Sequence, residues 1–236
     1  MLFDFSGKAA LVSGGTSGIG LAIAEALRDA GCAVTGAGLI GKEPPGASGI
    51  TFEAMDVTDA VSIDRVVAKC TTLDIVVNAA GVIRRGEEHD PEVFRQVIDI
   101  NLNGAMRVAV ATRQRLAASG GSLVNIASML SFFGGGLVPA YSASKGGIAQ
   151  LTKSLAIAWA ADGVRVNAVA PGWIATPLTQ GLQDDAVRSA AVLSRTPMGR
   201  WGRPEDIAGP VMFLCSSSAA FVTGIVLPVD GGYLAA

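Results

Sequence analysis

Residues 9–32 read AALVSGGTSGIGLAIAEALRDAGC. Ala9–Val12 is a short apolar run, Ser13–Gly20 is dense in glycine, and from Leu21 the apolar residues recur at helical spacing. The stretch therefore reads as a strand, a tight turn and an amphipathic helix. Gly14, Gly18 and Gly20 stand in a G-x-x-x-G-x-G pattern. Glycines at such a turn allow a sharp bend and close approach of a ligand to the main chain. A helix that starts near Ile19 then offers its first N–H groups to a diphosphate. Between a first strand and a first helix, this pattern points to a dinucleotide.

Outward from that turn the same alternation continues. Apolar runs at Ala33–Ala37, Ile50–Ala54, Leu73–Val77, Ser122–Ile126, Arg165–Ala170 and Val226–Val229 read as strands. Helical patterns fall between them, at SIDRVVAKC, Pro91–Ser119 with an interruption near DINLNG, Tyr141–Ala161, Asp184–Ser194 and Glu205–Ser216. Strands and helices in strict alternation predict an α/β fold: a doubly wound, seven-stranded parallel sheet with helices on both faces, in one domain over residues 1–236.

The chain has 236 residues, of which 50% are hydrophobic and 16% charged, so it can bury an extensive core. A net charge of -2 gives no basic surface for nucleic acid or for an anionic membrane. The cysteines, Cys32, Cys70 and Cys215, have neither metal-ligand spacing nor an even count for disulfides, so no metal is expected. No apolar stretch is long enough for a transmembrane helix, and no signal peptide is legible. A soluble, cytoplasmic protein acting on a small molecule is the expectation.

Chemistry concentrates in Ser128–Lys145, SMLSFFGGGLVPAYSASK. Tyr141 and Lys145 are four residues apart on a predicted helix and share a face. An ammonium beside a phenol favours the phenolate and lets the tyrosine exchange a proton near neutrality. Ser128 ends a predicted strand, at the sheet edge where α/β folds bind ligands. Such a trio suits hydride transfer at a carbonyl or alcohol.

Further positions suggest cofactor contacts. Ser17, Gly18 and Ile19 lie in the first turn, and Leu39 follows a second strand that ends without an acid or an arginine. Absence of an arginine favours NAD over NADP, with Lys42 or Glu43 as neighbouring substitutes. Asp56 and Val57 follow the third strand; Asp56 suits either an adenine amino group or the cap of the next helix. Asn78 is expected to tie strands together beside the cofactor, with Ala79 and Gly81 behind it. Asn101, polar within an apolar run, needs a buried partner or a water. Pro171, Gly172, Ile174 and Thr176 form a turn suited to a nicotinamide carboxamide, with Thr176 as its hydroxyl.

Taken together, SGGTSGIG, NAAG, the Asn101 break, Ser128 with Tyr141-SAS-Lys145, PGWIAT and VDGG resemble the short-chain dehydrogenase/reductase family over essentially the whole chain. The resemblance implies a Rossmann fold and an NAD- or NADP-dependent oxidoreductase. It makes Tyr141 the general acid/base, Ser128 the group that orients the carbonyl, Lys145 the ligand of the nicotinamide ribose and Asn101 the holder of a relay water. It also implies a homotetramer. The runs Gly81-Val-Ile-Arg-Arg, IASMLSFFGG and RTPMGRWGRPEDIAG are similar to sugar-acid members, the gluconate and 2-dehydro-3-deoxygluconate dehydrogenases. For such a substrate Arg84, with Arg85, could hold the carboxylate unless paired with Glu87 or Glu88. Arg200 and Arg203 suit packing better, and His89 suits a loop. An NADPH-dependent carbonyl or 3-oxoacyl reductase, and a non-catalytic dinucleotide sensor, are the alternatives.

Overall fold

A computed structural model describes residues 3–40 and 46–236. Lys42 and Glu43 lie outside the described residues. The strands are β1 (Ala9–Ser13), β2 (Ala33–Gly38), β3 (Ile50–Ala54), β4 (Ile75–Asn78), β5 (Ser122–Ile126), β6 (Arg165–Pro171) and β7 (Val226–Val229). The α-helices are α1 (Gly18–Asp29), α2 (Ala60–Lys69), α3 (Pro91–Ile98), α4 (Gly104–Ser119), α5 (Pro139–Trp159), α6 (Gln180–Gln183), α7 (Ala186–Ser194) and α8 (Pro204–Cys215). All seven strands are parallel, in the order β3-β2-β1-β4-β5-β6-β7.

Period-two alternation within buried strands builds two cores. Ala10 and Val12 of β1 face a layer formed by Ile23 and Leu27 of α1 with Ile207, Val211 and Leu214 of α8. Leu11 faces the opposite layer, with Ile63 and Val66 of α2, Val108 and Leu116 of α4, and Leu155 and Trp159 of α5. A sheet covered on both sides needs strands that are apolar on both faces, which the near-continuous Val/Ile/Leu/Ala runs supply.

The strand order reverses between β1 and β4, paired in register from Ala10↔Ile75 to Ser13↔Asn78. At that reversal the connecting loops part and leave a crevice beyond the strand ends. The ends of β1, β4, β5 and β6 therefore surround one site.

Local chemistry moved several boundaries. β4 starts at Ile75 rather than Leu73, because the Asp74 carboxylate takes the Ala9 N–H at 2.9 Å. Asp59, not Asp56, caps α2 by accepting from the Val61 N–H. Asp185 caps α7 and delays its start to Ala186. The interruption near DINLNG is a π-turn at Asp99–Asn103 between α3 and α4. Among the described residues, no helix is long and apolar enough to cross a membrane, and no metal-ligand cluster occurs.

Candidate active site

The cradle at the β1–α1 turn is closed to anything larger than glycine. A Cβ at Gly14, where φ is 73°, would lie 2.5 Å from the Ala80 nitrogen. One at Gly20 would strike the Gly14 carbonyl oxygen. The N-cap residue of α1, Ser17, makes no side-chain cap hydrogen bond, and the first turn carries no acid. Main-chain N–H groups at a helix N-terminus without a side-chain cap are a receptor for phosphate oxygens. The donor set therefore fits the diphosphate of a dinucleotide.

Around this turn the structure gathers most of the residues singled out from the sequence. The Ala79 N–H donates to the Ser13 carbonyl at 2.8 Å and holds the end of β4 against β1. Thr176 stands over Gly18, 3.6 Å from where a Cβ would be, so the loop after β6 reaches the glycine turn. Pro171 ends β6 and Gly172 packs against Asp230. Ile174 is buried and bridges to Gly202, so its side chain belongs to the core and only its main chain remains for a ligand. Ile19 likewise packs against the α1–α8 layer. Leu39 is 79% exposed past the end of β2. The Asp56 carboxylate accepts from Thr58 N and Oγ1, at 2.8 and 2.7 Å, and Val57 is buried next to it.

Two buried asparagines frame the crevice. Asn78 Nδ2 donates to the Ala105 carbonyl and to Asn125 Oδ1, both at 3.0 Å, tying β4 to α4 and β5 as the sequence implied. Asn101 Oδ1 accepts from the Val82 N–H at 2.8 Å, while its Nδ2 donates to the Val82 carbonyl at 2.9 Å and to Ser144 Oγ at 3.2 Å. That side chain clamps the β4–α3 loop, with Val82 and Ser144 as its buried partners.

Ser128, Tyr141 and Lys145 converge at the end of β5. Ser128 caps a short 3₁₀ turn, its Oγ accepting from Leu130 N at 3.1 Å. Its hydroxyl proton is then left to favour ionisation of the Tyr141 phenol. Lys145 is buried, its Nζ donating to the Ile126 carbonyl at 2.7 Å and lying 5.5 Å from the centroid of the Tyr141 ring. Gly81 closes the other side: a Cβ there would lie 3.4 Å from Asn101 Oδ1 and 3.8 Å from Lys145 Nζ.

The electrostatics correct one expectation. Burial pushes Tyr141 up to about 12, with the Ser128 hydrogen bond lowering it and the Glu88 charge raising it. Burial also pushes Lys145 down to about 8. Desolvation thus dominates at Tyr141, and Lys145, over the ring face with its proton on a strand carbonyl, is not among the groups that shift it.

Arg84 and Arg85 are exposed on the β4–α3 loop, and among the described residues neither forms an ion pair. Burial lowers the Arg85 pKa, followed by the like charge of Arg188 on α7. Glu88 does not neutralise them: both its oxygens accept from main-chain N–H groups. Arg200 is held by Asp206 at 2.6 Å, and the Arg203 N–H donates to the same carboxylate. His89 Nε2 lies 3.0 Å from the Gly136 carbonyl, a loop contact.

The sequence left the roles of three residues unread. Thr16 places its Oγ1 2.9 Å from where a Gly38 Cβ would stand, at the end of β2. Glu88 is buried and reaches the Tyr141 main chain. Arg188 comes within electrostatic reach of Arg85. Only Thr16 had a signal available, its place inside the glycine turn.

A family model described as Enoyl-(Acyl carrier protein) reductase matches residues 14–234. The 2-dehydro-3-deoxy-D-gluconate 5-dehydrogenase of Escherichia coli (strain K12) is 40% identical over 247 residues, covering 99% of this chain and 98% of that protein. The cis-4-hydroxycyclohexanecarboxylate dehydrogenase of Sinomonas cyclohexanicum is 40% identical over 250 residues, covering 98% of each chain. The crystal structure of a gluconate 5-dehydrogenase from Burkholderia cenocepacia J2315, in complex with NADP and tartrate, has a TM-score of 0.92 at 32% identity, covering 99% of this chain and 98% of that one.

Proposed function

This chain belongs to the short-chain dehydrogenase/reductase family and is an NAD(P)-dependent oxidoreductase acting on CH–OH groups; on that premise we propose that its substrate is a sugar acid, oxidised at a secondary alcohol or formed from the matching ketone. The two curated relatives act on different skeletons, a deoxygluconate and a cyclohexanecarboxylate, and their names share a carboxylate and a carbon-bound oxygen. The observation that carries this reading is a pair of arginines with no carboxylate partner among the described residues, on the loop that borders the Ser128–Tyr141–Lys145 crevice. Arg84 is assigned to the carboxylate, which a guanidinium can hold by two parallel hydrogen bonds. Arg85 and Arg188 add positive potential from the loop and from α7.

The dinucleotide, when bound, supplies the hydride acceptor or donor. Ser17, Gly18 and Ile19 would present the N-terminal N–H groups of α1 to its diphosphate, Gly14 and Gly20 would keep the turn tight enough for that approach, and Asp56 and Val57 would border its adenine. Ala79 and Gly81 border the nicotinamide ribose, to which Lys145 donates. Thr176 and the Pro171–Ile174 main chain hold the carboxamide. Ser128 donates to the substrate oxygen, and Tyr141 gives a proton to that oxygen in reduction and takes it in oxidation. Asn101, its side chain engaged by Val82 and Ser144, borders the same crevice and is assigned to the proton path.

NADP(H) is the form we assign. The expectation of NAD rested on a missing arginine, but the missing acid matters more. A carboxylate at the end of β2 would repel a 2′-phosphate, and β2 ends at Gly38 with the Thr16 hydroxyl beside it. The Burkholderia relative holds NADP. Exposed Met106 and Val110 on α4 and Ile157 on α5 support a homotetramer, and three free thiols suit the reducing cytoplasm.

Absorbance at the reduced-nicotinamide band tests this reading, with NAD and NADP offered separately against sugar acids, their uncharged polyols and simple ketones. Turnover of a hexonate or deoxyhexonate with NADP is expected, with Arg84→Ala raising KM at least tenfold. Activity confined to uncharged ketones would overturn the substrate class.

A further inference from the structure

Glu88 is a carboxylate with only 1% of its surface exposed, and no arginine or lysine pairs with it among the described residues. Its Oε1 accepts from the Arg84 N–H and its Oε2 from the Tyr141 N–H, both at 2.8 Å. Burying an ion is costly unless donors replace its water, so a carboxylate kept here on two amides needs a reason.

Helix α5 supplies part of it. The helix is 21 residues long, starts with Pro139, has Val138 at its N-cap without a side-chain cap, and has no acid in its first turn. Tyr141 is the third residue of that turn, where the N–H has no partner inside the helix. Glu88 satisfies it from outside and sets a negative charge against the positive end of the helix dipole.

The loop that carries Glu88 is fastened to the approach of α5 at two further points. The Gly86 N–H donates to the Leu137 carbonyl at 2.8 Å, and His89 Nε2 lies 3.0 Å from the Gly136 carbonyl. One carboxylate therefore joins the main chain of the reacting tyrosine to that of the arginine assigned to the substrate. We propose that Glu88 is a positioning residue for the reaction: it caps α5 from the β4–α3 loop and fixes the distance between Tyr141 and Arg84. This rests on the sugar-acid reading for the role of Arg84, and on the acid/base reading for Tyr141.

The same charge bears on proton transfer. The charged groups set against Tyr141 are Lys145 on its own helix and Glu88 on the facing loop, which also carries Arg84, Arg85 and His89. Asp99 of the π-turn is neutralised by Arg107, Glu92 and Arg95 of α3 pair with each other, and the end of β5 contributes only the Ser128 hydroxyl. Glu88 opposes ionisation of the phenol. Removing its charge lets the phenolate form at lower pH.

The test compares Glu88→Gln and Glu88→Asp with the unaltered enzyme and with Tyr141→Phe, following kcat and KM for alcohol oxidation from pH 6 to 10. Reduced-dinucleotide fluorescence checks that each variant is folded. Glu88→Gln keeps one acceptor and loses the charge: kcat is expected to fall at least tenfold, and the rising limb of the pH profile to move to lower pH. Glu88→Asp keeps the charge on a shorter arm: kcat is expected to fall with the limb unmoved. If Glu88→Gln does not bind the dinucleotide, Glu88→Asp decides alone. Two folded variants with kcat within twofold of the unaltered enzyme would overturn the proposal. A loss of kcat with the limb unmoved in both overturns the electrostatic part. Tyr141→Phe separates the two levels, because undiminished turnover there would sink the acid/base reading itself.

Discussion

At Lys145 and Tyr141, burial opposes charge in both directions. Lys145 is moved from an ordinary 10.5 to about 8, so its folded-state pKa lies below that of the unfolded chain. Stability from the neutral amine is thus present above pH 10.5 and is lost as pH falls through 8, leaving a cost of about 3 kcal/mol at neutral pH. Lys145→Met is expected to raise Tm even though the Ile126 carbonyl loses its donor, a loss of about 1 kcal/mol, while turnover falls by more than a hundredfold. Calorimetry and steady-state rates on the same sample check both. The ammonium fraction declines above about 8, so affinity for reduced dinucleotide is expected to weaken as pH rises from 7 to 9.5. A fluorescence titration that stays flat over that range would remove the ammonium from dinucleotide binding. Tyr141, raised to about 12, is a phenol at neutral pH and serves as an acid there. Ketone reduction is therefore expected to be fastest near neutrality, and alcohol oxidation to accelerate as pH rises, in initial rates measured in both directions.

The β1–α1 turn is the element with least tolerance. Its glycines are legible as a pattern, but the pattern alone does not say which of them meets a wall. Gly20 does, because its missing Cβ leaves room for the Gly14 carbonyl, and Gly14 does, because Ala80 of the β4 end stands behind it. Gly20→Ala is expected to weaken dinucleotide binding at least tenfold and to lower Tm by several degrees; calorimetric titration and a thermal melt measure each. A Cβ at Gly18 would meet only Thr176 at ordinary contact distance, so its constraint is conformational, a φ of 53°. The π-turn at Asp99–Asn103 is a second such element. Its sequence signal was one polar residue in an apolar run, and packing converted that residue into a clamp on Val82.

For the whole molecule, the doubly wound order brings the ends of β1, β4, β5 and β6 to one edge, so residues more than a hundred positions apart share a crevice. The apolar faces of α4 and α5 divide. Val108, Leu116, Ile148, Leu155 and Trp159 are core, whereas Val110 is 55% and Ile157 81% exposed. Further copies covering those residues, as in the proposed homotetramer, predict an assembly of four chains by light scattering. Val110→Asp with Ile157→Asp is expected to reduce it to a smaller species without loss of the folded core; an unchanged mass would place the interface elsewhere.

By itself the sequence determined the alternation of strands and helices, the dinucleotide turn and the spacing of Ser128, Tyr141 and Lys145, because these are local: period, glycine placement and i, i+4 geometry need no distant partner. Asn78 was legible too, since a buried amide must find acceptors and the neighbouring strands supply them. Tertiary structure alone decided the rest. Only packing shows that Asp56 turns to Thr58, that Arg200 is held by Asp206, and that burial, not the lysine, sets the direction of the Tyr141 shift. The sequence offered Glu88 only as a partner for the arginines, and its contact with Tyr141 was invisible for the same reason. An acid in a polar loop reads as solvated, and what makes it matter is a helix N–H that lies 53 residues further along the chain and 2.8 Å away in space.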